Sequence, residues 1–507
     1  MDKTIGKLRI KSDYSFRERP LPLIICSVYL WIVFTLQFIA ISGDNSYRFT
    51  PVISAVALVF SVIFSYIVLK YLSFALNSVS IEAEKREKGL HVFIIFLLLS
   101  LAVCGVLFYR FFPGNFTPDT DSQLSQAYGK TPYNDWHPFL NTLIFYALPI
   151  KLGLGEWSLA AFQMILFSVA LAYLLYTMYK LGLGVAVVSA AFALTFLSRF
   201  LRKFITYVWK DNAMMIFIIV LMAYYFNIVF SKGEWLKKTK NQIVFALFTV
   251  LALKMRHNAV LFILPFVMIV FFYLVKNKKA ILKTVAFLLI GLIVVRGMYI
   301  GLKVEKPDQR MVETIGLPLT VWCNVIKENP EALPEETREL MYSFDTKENY
   351  DKYYSKGDFN TIKYETIDLE KIDKLSYVDA AKITIQCLKY APKESLQAAS
   401  VLTSIVWGFA YESLFQPIYI QIQDLLFSCN GAIMIAELFV AMCLILKRRK
   451  SIIHLIPVFC YNYGTMLLLS SLDKRFFIFN VPIFFPLIII MLKDKNTFKQ
   501  KAEGETK

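Results

Sequence analysis

The sequence predicts an all-α, polytopic membrane protein with about twelve transmembrane helices. Three observations carry that prediction. Of 507 residues, 57% are hydrophobic, with 44 Phe and 28 Tyr, more apolar surface than a soluble core needs. The apolar residues recur in runs near the roughly 20 residues that cross a bilayer. Finally, 55 Lys and Arg against 38 Asp and Glu give a net charge of +17, and these cations gather at the ends of the runs. Such placement orients a chain in a membrane and is not a nucleic-acid surface.

The clear runs are 21–43, 51–72, 90–112, 157–179, 212–230, 280–302, 425–446, 451–471 and 476–493; shorter ones are 183–199, 241–255 and 259–275. Basic clusters flank them at Lys237, Lys238 and Lys240, at Lys276, Lys278 and Lys279, at Lys447, Arg448, Arg449 and Lys450, and after Leu492. The N-terminus adds Lys3, Lys7, Arg9, Lys11, Arg17 and Arg19. Cytoplasmic loops carry such clusters, so the expected location is the cell membrane, multi-pass, with both termini cytoplasmic. The first run is long and lacks a small-residue cleavage motif, so it reads as a signal anchor.

The same rule settles residues 138–152. If they crossed the membrane, every later basic cluster up to Lys450 would face outward. Pro149 breaks the segment and His137-Pro138 opens it as an N-cap and first-turn proline. It is therefore expected to be an amphipathic helix lying on the outer surface. For 397–413, between an outer region and a later span, a surface position is favoured over a re-entrant one.

Three units follow: a transmembrane module over 1–302, containing an external loop and surface helix at 113–156; an extracytoplasmic soluble region over 303–395; and a transmembrane module over 396–507. Charge rises sharply in the middle unit (ENPEALPEETREL, DTKENYDKYYSKGD), whose prolines and spaced apolar residues predict short helices packed as a small cap. Recognition of the acceptor is the role expected of that cap. Five of the seven cysteines fall in or beside apolar runs and read as small hydrophobes. Cys323 and Cys387 lie in the external region, where pairing is left open.

Ionisable groups near hydrocarbon are functional candidates by default, and the topology collects a set on one face. Asp119, Asp121 and Asp135 lie in the first external loop, Lys210 and Asp211 in FITYVWKDNAMM, Arg256 and His257 in LKMRHNAV, and Asp473, Lys474 and Arg475 in SSLDKRFF. Mixed acid and base at this level suits a lipid-phosphate substrate, headgroup at the interface and tail among the helices. Cations hold the phosphate as charge develops on it, and a carboxylate accepts a proton from an attacking hydroxyl. Arg475 suits a phosphate clamp, and Lys210 a point charge.

Asp119, Asp121 and Asp211 are the catalytic candidates. Gln123, Gln126, Asp135, His137, Lys210, Arg256, His257 and Arg475 are the substrate-binding ones. Structural alternatives stand beside them: turn and N-cap roles for Asp119, Asp121 and Asp135, packing for His137, and snorkelling at a helix end for Lys474 and Arg475. Glu437, inside an apolar run, must pair or face a cavity.

These residues give the chain a resemblance to the GT-C superfamily of integral-membrane glycosyltransferases, relatives of protein mannosyltransferases and of aminoarabinose and arabinosyl transferases. An acidic first loop (PDTDS) precedes DWHPFLNTLIFYALPIKLG; EWSLAAFQ opens the next span, KDNAMM a later one, and a soluble segment follows. The likeness covers about 90–300 well and looks closest to a bacterial branch with PG…DS…Q…DWHP in its first loop. It implies a GT-C-like fold. It also implies a polyprenyl-phosphate-linked sugar donor, bound from the outer side, and an inverting attack by a glycan, lipid or protein acceptor, with lipid phosphate leaving.

A first-loop aspartate would then act as base, with Asp211 in support; Asp121, within Asp-Ser-x-x-x-Gln, is favoured over Asp119. Some relatives carry Asp-Glu where this chain has Asp-Ser, so a divalent cation (Mg, Mn or Ca) on Asp119, Asp121 and Asp211 is left open. The lipid bilayer is the remaining expected partner, and nucleic acid is not one. Two other classes compete with the enzyme: a transporter or flippase of lipid-linked sugars, and a non-catalytic membrane protein of envelope assembly. A transporter should carry charges deep in its spans and broken helices in related halves.

Overall fold

The computed structural model describes residues 20–41, 46–78, 86–306, 310–408, 430–446 and 450–497. The basic N-terminus, the cluster at 447–449, most of the final lysines, Cys429 and the 409–413 part of the 397–413 segment lie outside them.

Among the described residues the architecture is helical, with three isolated bridges instead of a sheet. Eight helices are long and apolar enough to cross a membrane: Leu21–Ala40, Thr50–Leu76, Leu90–Arg110, Trp157–Lys180, Lys210–Phe230, His257–Leu274, Lys278–Gly301 and Lys474–Lys493. Shorter apolar helices cover Phe139–Lys151, Val185–Leu197 and Asn430–Ile445. The expected 241–255 run is the helix Thr239–Met255. The expected 451–471 span is not one rod: a 3-10 turn at Lys450–Leu455 precedes a short helix, Ile456–Met466, which Pro457 opens. A proline in the first turn starts a helix but cannot continue one.

Burial sorts the helices into an inner and an outer set. Lys210–Phe230 is the axis, with every residue from Asp211 to Phe226 buried. Leu90–Arg110 buries only Val92, Phe96, Ser100 and Cys104, a single stripe of period four, and Lys278–Gly301 only Ala280, Thr284 and Val295. A helix apolar all round yet buried on one stripe is at rest only against hydrocarbon. Its exposed leucines and isoleucines therefore mark a lipid-facing perimeter.

The region after Lys303 has its own core, including Trp322, Met341, Phe344, Tyr350, Phe359 and Ile383. Short helices build it as the composition predicts, and their N-caps are side chains: Thr346, Asp368 and Ser376 accept from the backbones of Asn349, Lys371 and Asp379. Cys323 and Cys387 are both free thiols buried in this core. The cap is tied to the 467–473 turn. Asn360 N donates to Ser470 O over 3.2 Å, and Ser470 Oγ donates to Asn360 Oδ1 over 3.2 Å. A Cβ at Gly316 would lie 2.4 Å from Leu469 O, so only glycine allows this approach.

Both segments expected on the outer surface are packed against the rest of the protein. The 139–151 helix buries most of its residues. Asn141, Thr142 and Tyr146 are buried together with Phe139, Leu140, Phe145 and Ala147, while Leu148 and Leu152 are exposed; polar and apolar residues alike face the protein. The Pro392–Trp407 helix likewise is packed rather than superficial, burying Ala398, Leu402, Ile405 and Val406 against Leu21–Ile41 and Gly316–Glu328.

Candidate functional site: an ion cluster at one end of the bundle

Four segments meet where the cap joins the bundle. The first is the start of the Pro118–Ala127 helix. Thr117 N donates to Thr120 Oγ1 over 3.2 Å, Pro118 takes the first turn, and Trp209 Nε1 donates to Thr117 Oγ1 over 3.1 Å. The second is the 205–209 turn. Its backbone is satisfied by side chains: Gln163 Nε2 donates to the carbonyls of Ile205 (3.0 Å) and Tyr207 (2.8 Å), Asn212 Nδ2 to Phe204 and Tyr207 (both 2.8 Å), and Tyr146 OH to Val208 (2.5 Å). An irregular turn beside hydrocarbon needs such partners, because water cannot serve them. A parallel bridge joins Asn115 to Tyr207, locking the first two segments together.

The charges sit on this platform. Asp211 opens the axial helix, 1% exposed, and forms an ion pair with Arg256. Arg256 also donates from Nε to Asn258 Oδ1 over 2.9 Å and stacks 4.6 Å from the Phe476 ring centroid. Arg475 joins three carboxylates: Asp473 Oδ2 at 2.8 Å, Asp119 Oδ2 at 3.2 Å and Asp211 Oδ2 at 4.0 Å. Its guanidinium lies 4.5 Å from the Trp209 ring centroid. Lys210 Nζ is 3.2 Å from His137 Nδ1. Three cations thus face three carboxylates, in surroundings where each charge is costly unless paired.

Asp119 and His137 have shifted acidity. Burial pushes the Asp119 carboxyl upward, but the Lys210 and Arg475 cations outweigh it and hold the group below its usual value. Burial and then Lys210 push His137 down to about 3, against the opposing pull of Asp119, so the ring is neutral near pH 7. Neutral Nδ1 can then accept from the Lys210 ammonium.

The structure brings together Asp119, His137, Lys210, Asp211, Arg256 and Arg475 from the expected set. It leaves the others out. Asp121, favoured over Asp119, is exposed and has no ion pair among the described residues. Gln123 and Gln126 are buried and occupied by structural bonds. Gln123 accepts from Asn141 Nδ2 (2.7 Å) and Thr142 Oγ1 (3.1 Å) and donates to Tyr146 OH (3.2 Å). Gln126 Oε1 accepts from Asn134 N over 3.1 Å.

Asp135, and not His137, caps the 139–151 helix: its Oδ1 accepts from Phe139 N over 3.0 Å and from Tyr299 OH over 2.8 Å. His257 Nε2 is 3.0 Å from Asp135 O, so it fastens the loop. Among the described residues, no group of three or more His, Cys, Asp and Glu is placed to hold a metal ion. Asp119 and Asp211 face guanidinium groups, and Asp121 does not join them.

Sequence reasoning missed two contributors and gave a third, Asp473, no role. Asp473, two residues before Arg475, both accepts from Arg475 N over 3.0 Å and pairs with its Nε; an Asp-x-Arg at an apolar boundary is the signal. Trp209 and Phe476, the aromatic neighbours of Lys210 and Arg475 in sequence, supply the rings on which the guanidinium groups lie. Comparison of the chain with protein-family models, characterised proteins and solved structures finds no match.

Proposed function

We propose that the chain is a membrane glycosyltransferase that moves a sugar from a polyprenyl-phosphate-linked donor to a cell-envelope acceptor at the outer face. One observation carries this reading: Asp119 shares a mixed-charge site with Lys210, Arg256 and Arg475, at the junction of the cap and the lipid-facing bundle. A donor of this class has a matching division, with an anionic headgroup at the interface and an apolar chain beside the helices.

The step proposed balances without an added reagent. The acceptor oxygen attacks the anomeric carbon, and the new C–O bond forms as the bond to phosphate oxygen breaks. The phosphate leaves with the electron pair, and the acceptor proton passes to Asp119. Arg475 and Lys210 stabilise the charge growing on phosphate. Asp211 is a positioning residue that holds Arg256, and Asp473 does the same for Arg475. Residue Asp119 replaces Asp121 as the proposed base because it alone of the two joins the cations.

The test is transfer by the purified full chain in nanodiscs, supplied with isoprenyl-phosphate sugars and envelope glycan. The expected result is acceptor-dependent release of isoprenyl phosphate. Absence of release across mannosyl, glucosyl and arabinosyl donors would refute the reading.

A further inference from the structure

The Asp119–Arg475 pair is held unequally from its two sides. Arg475 has anchors besides Asp119: Asp473 on its backbone N and Nε, the Trp209 ring at 4.5 Å and the Phe476 ring at 5.6 Å. The Asp119 carboxylate has no hydrogen-bond donor other than Arg475 among the described residues, and its side chain is 31% exposed. The pair therefore opens by movement of Asp119, while Arg475 stays in place.

Charge balance gives a reason for it to open. Asp119, Asp211 and Asp473 neutralise Lys210, Arg256 and Arg475, so an arriving phosphate meets a site without net charge. Adding an anion to partly desolvated charges is costly unless one carboxylate withdraws. Asp211 is fixed by Arg256 and deep burial, and Asp473 by its backbone bond. Asp119, 31% exposed against 27% for Asp473, has no such backbone tie.

We propose that in the empty site the Asp119 carboxylate occupies the position of a substrate phosphate, and that a phosphate headgroup displaces it from Arg475. The exchange rests on the glycosyltransferase reading and adds an order of events to it. The carboxylate is weakly basic while Lys210 and Arg475 hold it. Once phosphate takes over those cations, Asp119 is a stronger base, next to a loaded donor. The acceptor is thus activated only when a donor is seated.

The test measures binding, not turnover. The full chain in nanodiscs is titrated with farnesyl phosphate and, separately, with inorganic phosphate. D119N should bind farnesyl phosphate about tenfold more tightly than the unaltered chain, a gain of about 1.4 kcal/mol, because a competing anion has been removed. D119S repeats the measurement without an amide beside Arg475, and D121N should leave affinity unchanged.

Equal or weaker binding by both Asp119 variants, with the unaltered chain binding, overturns the exchange and leaves the enzyme reading standing. No binding of either probe by the unaltered chain overturns both. Inorganic phosphate binding as tightly as farnesyl phosphate overturns the lipid source.

Discussion

The Asp211–Arg256 pair offers the sharpest physical test, because its consequence does not depend on what the site does. Both partners are buried, Arg256 at 8% and Asp211 at 1% exposure. Removing one member of such a pair leaves an uncompensated charge, at a cost of about 3–5 kcal/mol. Here Arg475 at 4.0 Å gives Asp211 a second cation, so R256A should fall at the lower end of that range. D211A leaves Arg256 with Asn258 and the Phe476 ring as its near partners and no directly paired carboxylate among the described residues, and should fall at the upper end. The double variant D211A/R256A removes both charges together, and should lose no more stability than D211A alone. Thermal unfolding of the four proteins in nanodiscs closes the cycle, and the non-additivity is the measured coupling. Additive losses would refute the placement of these two side chains against each other.

Other consequences can be checked with single variants. Q123L deprives Asn141, Thr142 and Tyr146 of a shared partner and should cost about 1–3 kcal/mol, read as a lower unfolding temperature; unchanged stability would show that Gln123 does not tie the loop to the 139–151 helix. His137 makes stability depend on pH. Its folded pKa is about 3 against about 6.5 unfolded, so the unfolded chain takes up the proton first as pH falls. The contribution is full above about pH 6.5 and is lost progressively toward pH 3; H137N should flatten that loss, and an unaltered profile would contradict it. The proposed orientation predicts that a cysteine at Lys356, in a chain lacking the exposed Cys460, reacts with an impermeant reagent added outside intact cells. Labelling from the cytoplasmic side alone would reverse the topology.

Much of the site was legible because sidedness is a long-range property that basic clusters report directly. It placed Lys210, Asp211, Arg256 and Arg475 on one face across more than one span, and the structure brings Asp211, Arg256 and Arg475 into contact, with Lys210 beside them on His137. Choosing between Asp119 and Asp121 was beyond it. At about 100° per residue, positions two apart on a helix point in nearly opposite directions, and only the helix phase decides which one faces the cations. Gln123, four residues after Asp119 and on its side of the helix, is buried, and that fixes the phase.

The packing of the 139–151 helix was not legible for a related reason. Amphipathicity shows that a helix has two sides, but not which medium each side meets. Here Asn141, Thr142 and Tyr146 meet Gln123 inside the protein, Phe139, Leu140 and Phe145 are buried with them, and Leu148 and Leu152 are left outward. Trp209 drew no notice, and Asp473, counted among the outward charges, was given no role, since each acts by holding a cation and carries no signature of its own chemistry.

The central claim is that Asp119 acts as the base of a lipid-phosphate-dependent sugar transfer. Its most direct test is the transfer rate of D119N beside D121N, in nanodiscs with a shared isoprenyl-phosphate sugar donor and acceptor. General-base catalysis contributes about 10²–10⁴-fold, so D119N should lose at least a hundredfold in rate while still binding farnesyl phosphate, and D121N should stay within about twofold. A D119N protein that transfers sugar at the unaltered rate would contradict the account.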